Sequence, residues 1–161
     1  MNNDIVIQND NCDFNYRIAI VIRKGDKILV QKDDRAKHYT LPGGRCELGE
    51  SSANTAIREL KEETGLDSTF VKGIGLVENF FVSSFTGRQI HELLIINELK
   101  FVSETVYEKE IINNIEEKKD KKFHLTYVWL DISELKKSDF RPAVALNMLN
   151  KNDFQHYINE D

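Results

Sequence analysis

The chain has 161 residues, of which 40% are hydrophobic and 30% charged, a balance typical of a folded globular domain and not of a disordered chain. Its formal net charge of −5 argues against a protein that tracks the nucleic-acid backbone, although a local basic pocket for a phosphorylated small molecule stays open. The two cysteines, Cys12 and Cys46, are too few for a disulfide framework.

We expect one domain over residues 1–161, because the sequence contains no internal repeat, linker or low-complexity tract. No start that resembles a signal peptide and no run long enough to span a membrane is present, so we expect a cytoplasmic protein without membrane contact. A polymeric nucleic acid is disfavoured as a partner. A homodimer stays open, because an exposed N-terminal edge strand would allow one.

The first part of the chain predicts strands. Residues 5–7 form a brief β-branched run that fits either a short edge strand or a loose tail. Residues 16–23 and 27–32 are rich in apolar and β-branched side chains and are separated by a Lys-Gly-Asp stretch, so we predict a hairpin closed by a glycine turn. The charged residues 33–38 predict a loop.

Residues 39–44, with the sequence YTLPGG, predict an extended segment followed by a sharp bend. The residue before a proline is pushed out of the helical region, which favours extended backbone at Leu41. Gly43 and Gly44 then allow the bend, and their missing side chains permit a ligand or a metal ion to approach the main-chain carbonyls closely.

A helix is predicted over residues 52–64. Ser51 and Ser52 are cap-type residues at its start, and Gly65 can take the left-handed conformation after its end. Five side chains recur at helical spacing and predict one buried stripe. They are Ala53, Ala56, Ile57, Leu60 and Thr64.

Three glutamates of this helix, Glu59, Glu62 and Glu63, are related by i, i+3 and i+4, which predicts that their carboxylates converge on one flank. Like charges at this spacing cost about 0.2–0.5 kcal/mol per pair in an isolated helix, so a cation is one source of compensation. Clustered carboxylate oxygens favour Mg²⁺ or Mn²⁺ over zinc. An ordinary solvated acidic face is the alternative interpretation.

The spacing around these acids favours the metal interpretation. Nine residues match every fixed position of the box that defines the Nudix hydrolases, and an LPGG run precedes them as it usually does in that family. They are Gly44, Glu50, Arg58, Glu59, Leu60, Glu62, Glu63, Gly65 and Leu66. The chain therefore resembles the MutT-like Nudix family, tightly over residues 41–66 and more loosely elsewhere. The resemblance implies an α/β fold, the Nudix-type α/β/α sandwich with a mixed β-sheet.

The resemblance also implies a site. The predicted metal ligands are Glu59, Glu62, Glu63 and a main-chain carbonyl of Gly43. The predicted catalytic residues are Glu50, Arg58, Glu62 and Glu63. We expect Arg58 to point to another side of the helix from the ligands and to act as an orienting residue, through an ion pair with Glu50 that holds the loop against the helix.

The chain after the box predicts a second, longer hairpin from residues 69–82 and 89–102, with its turn at residues 83–88. Phe80 and Phe81 fit either packing on the sheet or stacking on a base. Glu92 opens an otherwise apolar strand and must lie at an edge or have partners, since an unpaired buried carboxylate is costly. Both an active-site role and a structural role stay open for it.

Residues 104–122 mix acids and lysines and fit either a short helix or a mobile insertion. Nudix enzymes often draw a further glutamate from this part of the chain as a metal ligand or general base, and Glu116 and Glu117 are the nearest candidates. A solvated charge run is the alternative. Residues 123–131 predict the last strand, and residues 142–149 predict a C-terminal helix.

The predicted function is metal-dependent hydrolysis of the pyrophosphate bond in a nucleoside diphosphate linked to another moiety, by attack of water at phosphorus. The alternative is a catalytically silent Nudix-fold module that binds or senses a nucleotide. An isomerase acting on a prenyl diphosphate is a third class, which no arrangement of cysteine and glutamate compels. The residues do not name the leaving group, and Lys37, Arg45 and Arg88 are candidates to contact phosphate.

Overall fold

The computed structural model describes residues 3–118 and 121–160, without the side chains of residues 111, 113–118 and 121–123. In chain order the strands are β1 (Val6–Gln8), β2 (Cys12–Val21), β3 (Arg23–Lys24), β4 (Lys27–Asp33), β5 (Tyr39–Thr40), β6 (Gly43–Arg45), β7 (Ser68–Val82), β8 (Gln89–Phe101), β9 (Ile111–Lys118), β10 (Lys121–Asp131) and β11 (Gln155–Glu160). The helices are α1 (Ser52–Thr64), α2 (Ile132–Leu135) and α3 (Ala145–Met148), and a 3₁₀ turn covers Glu104–Glu108.

The strands form two sheets. The larger sheet has the order β1-β2-β8-β7-β11, with β6 also paired to β2, and the smaller sheet has the order β3-β4-β10-β9, with β5 paired to β4. Strand β2 runs parallel to β8 and β11 runs parallel to β7, whereas the other pairs are antiparallel. The larger sheet is therefore mixed, as predicted.

The helices cover both faces of the larger sheet. On one face, Ala56 and Leu60 of α1 belong to the same core cluster as Ile18 of β2. On the other face, Leu135 of α2 and Met148 of α3 share a cluster with side chains of β2, β7 and β8. This layering confirms the predicted α/β/α sandwich. None of the helices in the described ranges is long and apolar enough to cross a membrane.

Helix α1 begins and ends at the predicted residues. The Ser51 side chain accepts a hydrogen bond from the backbone N–H of Asn54 (3.2 Å), and Gly65, at φ 73°, donates its backbone N–H to the carbonyl of Lys61 (2.8 Å). The buried stripe differs in part from the prediction. Its buried residues are Thr55, Ala56, Leu60 and Glu63. The other predicted members are half-buried, and Glu63 lies in the buried stripe and not on the flank beside it.

The first predicted hairpin is correct at its turn and wrong in its longer arm. Strands β3 and β4 pair across the turn, where Gly25 has φ 60°. Residues 16–21, however, belong to β2 in the larger sheet. The consecutive residues 18–22 are all buried, because their side chains pack on both faces of the sheet. A strand that is buried on both faces pairs with strands that are distant in sequence, and not across a local hairpin. The short N-terminal strand is confirmed as β1 at the edge of the larger sheet.

The second predicted hairpin is confirmed as β7 and β8, and Gly87 in its turn has φ 70°. Phe80 packs on the sheet by stacking on His91, with ring centroids 4.4 Å apart.

The C-terminal part departs further from the prediction. Residues 111–118 form strand β9, paired with the predicted strand β10, and only the 3₁₀ turn before it is helical. Helix α3 is shorter than the predicted helix over residues 142–149. Strand β11 is an element that the sequence pattern did not indicate.

Candidate active site

Strand β6 brings the start of the box against the larger sheet and against α1. Ile18 and Ala19 of β2 pair with Gly44 and Gly43 respectively. At Gly43, φ is 152°, a conformation that favours glycine, and a Cβ atom there would collide with the backbone of Ile18. At Gly44, a Cβ atom would overlap the carboxylate of Glu59. Gly43 therefore allows β6 to lie close to β2, and Gly44 allows the Glu59 carboxylate to lie directly against the backbone of β6.

Arg58 organises the acids around it. Its Nε lies 2.8 Å from Glu50 Oε1 and its Nη2 lies 2.9 Å from Glu50 Oε2, a bidentate pair. Its Nη1 also donates to Glu59 Oε1 at 2.9 Å and to Glu62 Oε2 at 3.4 Å. The predicted ion pair with Glu50 is confirmed. The prediction that Arg58 points to another side of the helix from the metal ligands is wrong for Glu59 and Glu62, because its long side chain reaches across the helix surface to both.

Glu50 is held in its ionised form. The two hydrogen bonds from Arg58 are the largest influence, and the hydroxyl of Thr55 and the backbone N–H of Glu47 also donate to Glu50 Oε2, at 2.9 and 3.3 Å. Together they outweigh partial burial and lower the pKa of Glu50 to about 2. The Glu50 carboxylate therefore fastens the loop before α1 to the helix and orients Arg58, which in turn binds Glu59 and Glu62.

The pKa of Glu59 shifts in the opposite direction from that of Glu50. Burial raises the pKa of its carboxyl, and the nearby Arg58 and Arg17 guanidinium groups offset only part of this effect, since Glu62 adds a like charge. Its side chain is 16% exposed. A buried carboxyl whose charged form is disfavoured gains most from an additional cation nearby.

The three glutamates of the predicted metal site have different environments. Glu62 is exposed (60% for its side chain), Glu63 is buried (4%), and Glu59 lies between these extremes. Within residues 3–118 and 121–160, no three acidic, histidine or cysteine side chains are arranged so that they could hold a metal ion together. The expected convergence of the three carboxylates on one flank is thus not observed, because Glu63 lies in the buried stripe while Glu62 is exposed. The assignment of these residues as metal ligands stays a prediction.

The donor set nevertheless fits a hard divalent ion. It consists of carboxylate oxygens and the nearby main-chain carbonyls of a glycine pair, which are the ligands that Mg²⁺ and Mn²⁺ prefer. The space that Gly44 leaves open for the Glu59 carboxylate and the raised pKa of that carboxyl both suit a bound cation.

Glu92 is buried (4%) and has partners. Asn79 Nδ2 donates to its Oε1 at 3.2 Å, and Arg17 Nη1 lies 3.8 Å from its Oε2. The backbones of Glu116 and Glu117 lie in β9, and their side chains fall outside the part of the chain that the structure describes. Their proposed role therefore stays untested.

The predicted phosphate contacts have structural partners in two of three cases. Arg45 Nη1 lies 3.5 Å from Asp4 Oδ2, and Arg88 Nη2 lies 2.7 Å from Asp13 Oδ1, whereas Lys37 is exposed. Sequence reasoning missed Arg17, whose Nη1 lies 3.8 Å from Glu92 Oε2. Its only sequence signal is a charged residue directly before the apolar run of residues 18–22.

Comparison with known sequences identifies the family of this chain. A family model described as NUDIX domain matches residues 14–149. The chain is 35% identical over 79 residues to the "Putative 8-oxo-dGTP diphosphatase" of Bacillus subtilis (strain 168), covering 44% of this chain and 53% of that protein. It is 36% identical over 69 residues to the NAD-capped RNA hydrolase NudC of Vibrio atlanticus (strain LGP32), covering 42% and 26%. The chain thus spans about half of the first relative's length and about a quarter of the second's.

Solved structures share the fold at low sequence identity. A NUDIX hydrolase from Nitrosomonas europaea has a TM-score of 0.61 at 14% identity, covering 96% of this chain and 82% of that one. An ADP-ribose pyrophosphatase from Streptococcus suis 89-1591 has a TM-score of 0.55 at 16% identity, covering 90% and 98%. Since the family model matches far more than half of the sequence, the chain belongs to the NUDIX domain family.

Proposed function

We propose that this protein is a metal-dependent hydrolase that cleaves the pyrophosphate bond of a nucleoside diphosphate linked to another moiety. The observation that carries the proposal is the acid cluster of α1, in which Arg58 binds Glu50, Glu59 and Glu62 while the Glu59 carboxylate lies against Gly44. The names of the relatives, a diphosphatase and a pyrophosphatase among them, support a phosphoanhydride as the substrate class.

In this proposal Glu59, Glu62, Glu63 and the Gly43 carbonyl would hold Mg²⁺ or Mn²⁺. A divalent ion bound there supplies positive charge that offsets the charge of the diphosphate and lowers the pKa of water. The chain's own residues set the geometry. Arg58 fixes Glu50 and Glu59 relative to the helix, and the exposed Glu62 carboxylate can reach water and substrate.

The remaining expectations belong to the same proposal. We propose a single domain over residues 1–161 that acts in the cytoplasm on a small molecule, and not on polymeric nucleic acid, which the net charge of −5 supports. A homodimer is compatible with the position of β1 at the edge of the larger sheet.

Neutral substitutions of the exposed and the buried glutamate test the metal assignment. Glu62→Gln and Glu63→Gln should each lower turnover by at least roughly 10–100-fold, because each removes a carboxylate that would hold the ion. The measurement is product mass after incubation with a panel of nucleoside diphosphate derivatives, with and without Mg²⁺ or Mn²⁺. Full activity in both variants would contradict the assignment.

The control is Glu134→Gln, which removes an exposed glutamate from α2, on the other face of the sheet. We expect wild-type turnover for this variant and unchanged thermal melting for all three. Nucleotide binding without any product in the wild-type protein, at every metal tested, would instead support a silent binding module.

A further inference from the structure

Arg17 lies next to the candidate site although it is outside the box. It is part of β2, and the following residue, Ile18, pairs with Gly44, against which the Glu59 carboxylate lies. Arg17 itself pairs with Arg45, the residue that follows Gly44 in β6. The Arg17 side chain is 43% exposed. A guanidinium group is therefore open to solvent beside β6, the strand whose Gly43 carbonyl is a predicted metal ligand.

A row of polar side chains lies behind Arg17. Asn159 of β11 donates its Nδ2 to Asn79 Oδ1 at 2.8 Å, and Asn79 of β7 donates its own Nδ2 to Glu92 Oε1 at 3.2 Å. The Glu92 carboxylate in turn lies 3.8 Å from Arg17. The row thus crosses from β11 through β7 and β8 to β2.

The row gives the buried Glu92 carboxylate a positioning role. A buried carboxylate is retained at low cost only when it is paired and hydrogen-bonded, and Asn79 and Arg17 supply these partners. Removing one partner of such a pair is costly, so Glu92 restrains the guanidinium of Arg17. The guanidinium has five N–H donors, and its contact with Glu92 leaves donors for a ligand.

Arg45 and Arg88 have a different environment. Arg45 contacts Asp4 in the segment before β1, and Arg88 contacts Asp13 and the backbone carbonyl of Asn9. Both arginines therefore tie the N-terminal part of the chain to the sheet. Of these three, Arg17 alone is held by Glu92, and it lies in β2 directly before the two residues that pair with Gly44 and Gly43.

We propose that Arg17 is a phosphate-binding residue, positioned by Glu92, that contacts the diphosphate group of the substrate. This inference rests on the proposed function for the identity of that group. Arginine suits the role because its planar guanidinium can donate two parallel hydrogen bonds to phosphate oxygens.

The test is equilibrium binding of α,β-methylene-ADP, a nucleoside diphosphate analogue whose bridging carbon resists hydrolysis, measured by calorimetry with and without Mg²⁺. Arg17→Met should weaken binding by roughly 10–100-fold, the range expected for loss of hydrogen bonds to a charged group. Arg17→Lys should recover part of the loss, because it restores the charge without the fork. Lys100→Met removes an exposed cation from the opposite end of β8 and should bind like the wild type.

Glu92→Gln tests the positioning role. It should weaken binding in the wild-type background and have no further effect in the Arg17→Met background, since Glu92 acts through Arg17. A merely structural Glu92 would weaken binding equally in both backgrounds, which would overturn its positioning role. Thermal melting of each variant identifies those that fail to fold, and Arg17→Lys then provides the comparison for Arg17.

The outcomes separate this inference from the proposed function. Wild-type affinity in a folded Arg17→Met variant, or a wild-type protein that does not bind the analogue in either condition, would overturn the inference. If the wild type hydrolyses a derivative of the panel while Arg17→Met binds normally, the inference fails and the proposed function stands. If binding depends on Arg17 but no derivative is hydrolysed, the inference stands and the hydrolase proposal fails.

Discussion

The ion pair between Glu50 and Arg58 should make the stability of the protein depend on pH in the acid range. The pKa of Glu50 falls from an ordinary value of 4.5 to about 2 in the folded protein. Each pKa unit corresponds to about 1.4 kcal/mol, so the shift corresponds to at most ~3.5 kcal/mol of folding free energy. The Glu50 side chain is 22% exposed, and solvent screening reduces our expectation to about 1–2 kcal/mol.

The sign follows from the direction of the shift. Because the pKa of Glu50 is lower in the folded state than in the unfolded state, its contribution is fully present above about pH 4.5 and is lost as the pH falls toward about 2. The pKa of Glu59 is raised by burial, so its protonation at low pH acts in the opposite direction. A comparison of the wild type with Glu50→Gln isolates the contribution of Glu50.

The assay is urea unfolding of the wild type and Glu50→Gln, followed by circular dichroism, at pH 7 and at pH 3. The variant should be less stable at pH 7, and the difference in unfolding free energy should shrink by about 0.5–1 kcal/mol at pH 3, where the wild-type contribution is partly lost. The control is Glu47→Gln, because Glu47 lies 3.9 Å from Arg58 and should contribute less. An identical difference at the two pH values would refute the assignment of a charged Glu50–Arg58 contact.

Two glycines give further predictions. Gly44→Ala should lower turnover by roughly 10–100-fold with little change in the melting temperature, because the new methyl group displaces the carboxylate of Glu59. Wild-type turnover in this variant would show that the position of the Glu59 carboxylate is unimportant for the reaction. Gly75→Ala should lower the free energy of unfolding by about 1–3 kcal/mol, because its Cβ would collide with the backbone of Gln155. Gly73→Ala, with only an ordinary contact to a ring, is the control in the same urea titration, and equal losses in the two variants would contradict the steric argument.

Local signals predicted α1 because its determinants are local. Ser51 at the start, Gly65 at the end and the apolar spacing between them are all read within one segment. The pairing of Glu50 with Arg58 was predictable for the same reason. The reach of Arg58 to Glu59 and Glu62 was not, since helical spacing fixes the direction of Cβ and not the end of a long, flexible side chain.

Long-range pairing limited the prediction of the sheets. Strand β2 pairs in parallel with β8, a partner more than seventy residues away, and no local pattern encodes that choice. Strand β9 mixes isoleucines with asparagine, glutamate and lysine, which are poor strand formers, and its pairing with β10 decides its conformation. Strand β11 alternates half-buried and exposed side chains over only six residues. Because the residues around it are also polar, this alternation is too weak to predict a strand from the sequence.

The same long-range pairing hid Arg17. The polar row behind it draws Asn79, Glu92 and Asn159 from three separate strands, so it exists only once the larger sheet has formed. A candidate site built from the box alone therefore contains the acids and Arg58 and omits Arg17.

The first and last strands of the described chain, β1 and β11, lie at opposite margins of the larger sheet. Residues 155–160 occupy the outer side of β7 from Gly75 to Phe80. Trimming them away would uncover a row of backbone donors and acceptors on a mostly apolar strand, and such a row recruits strands from other molecules. Strand β11 therefore replaces the mostly apolar edge of β7 with a more polar one, a contribution separate from any it makes to catalysis.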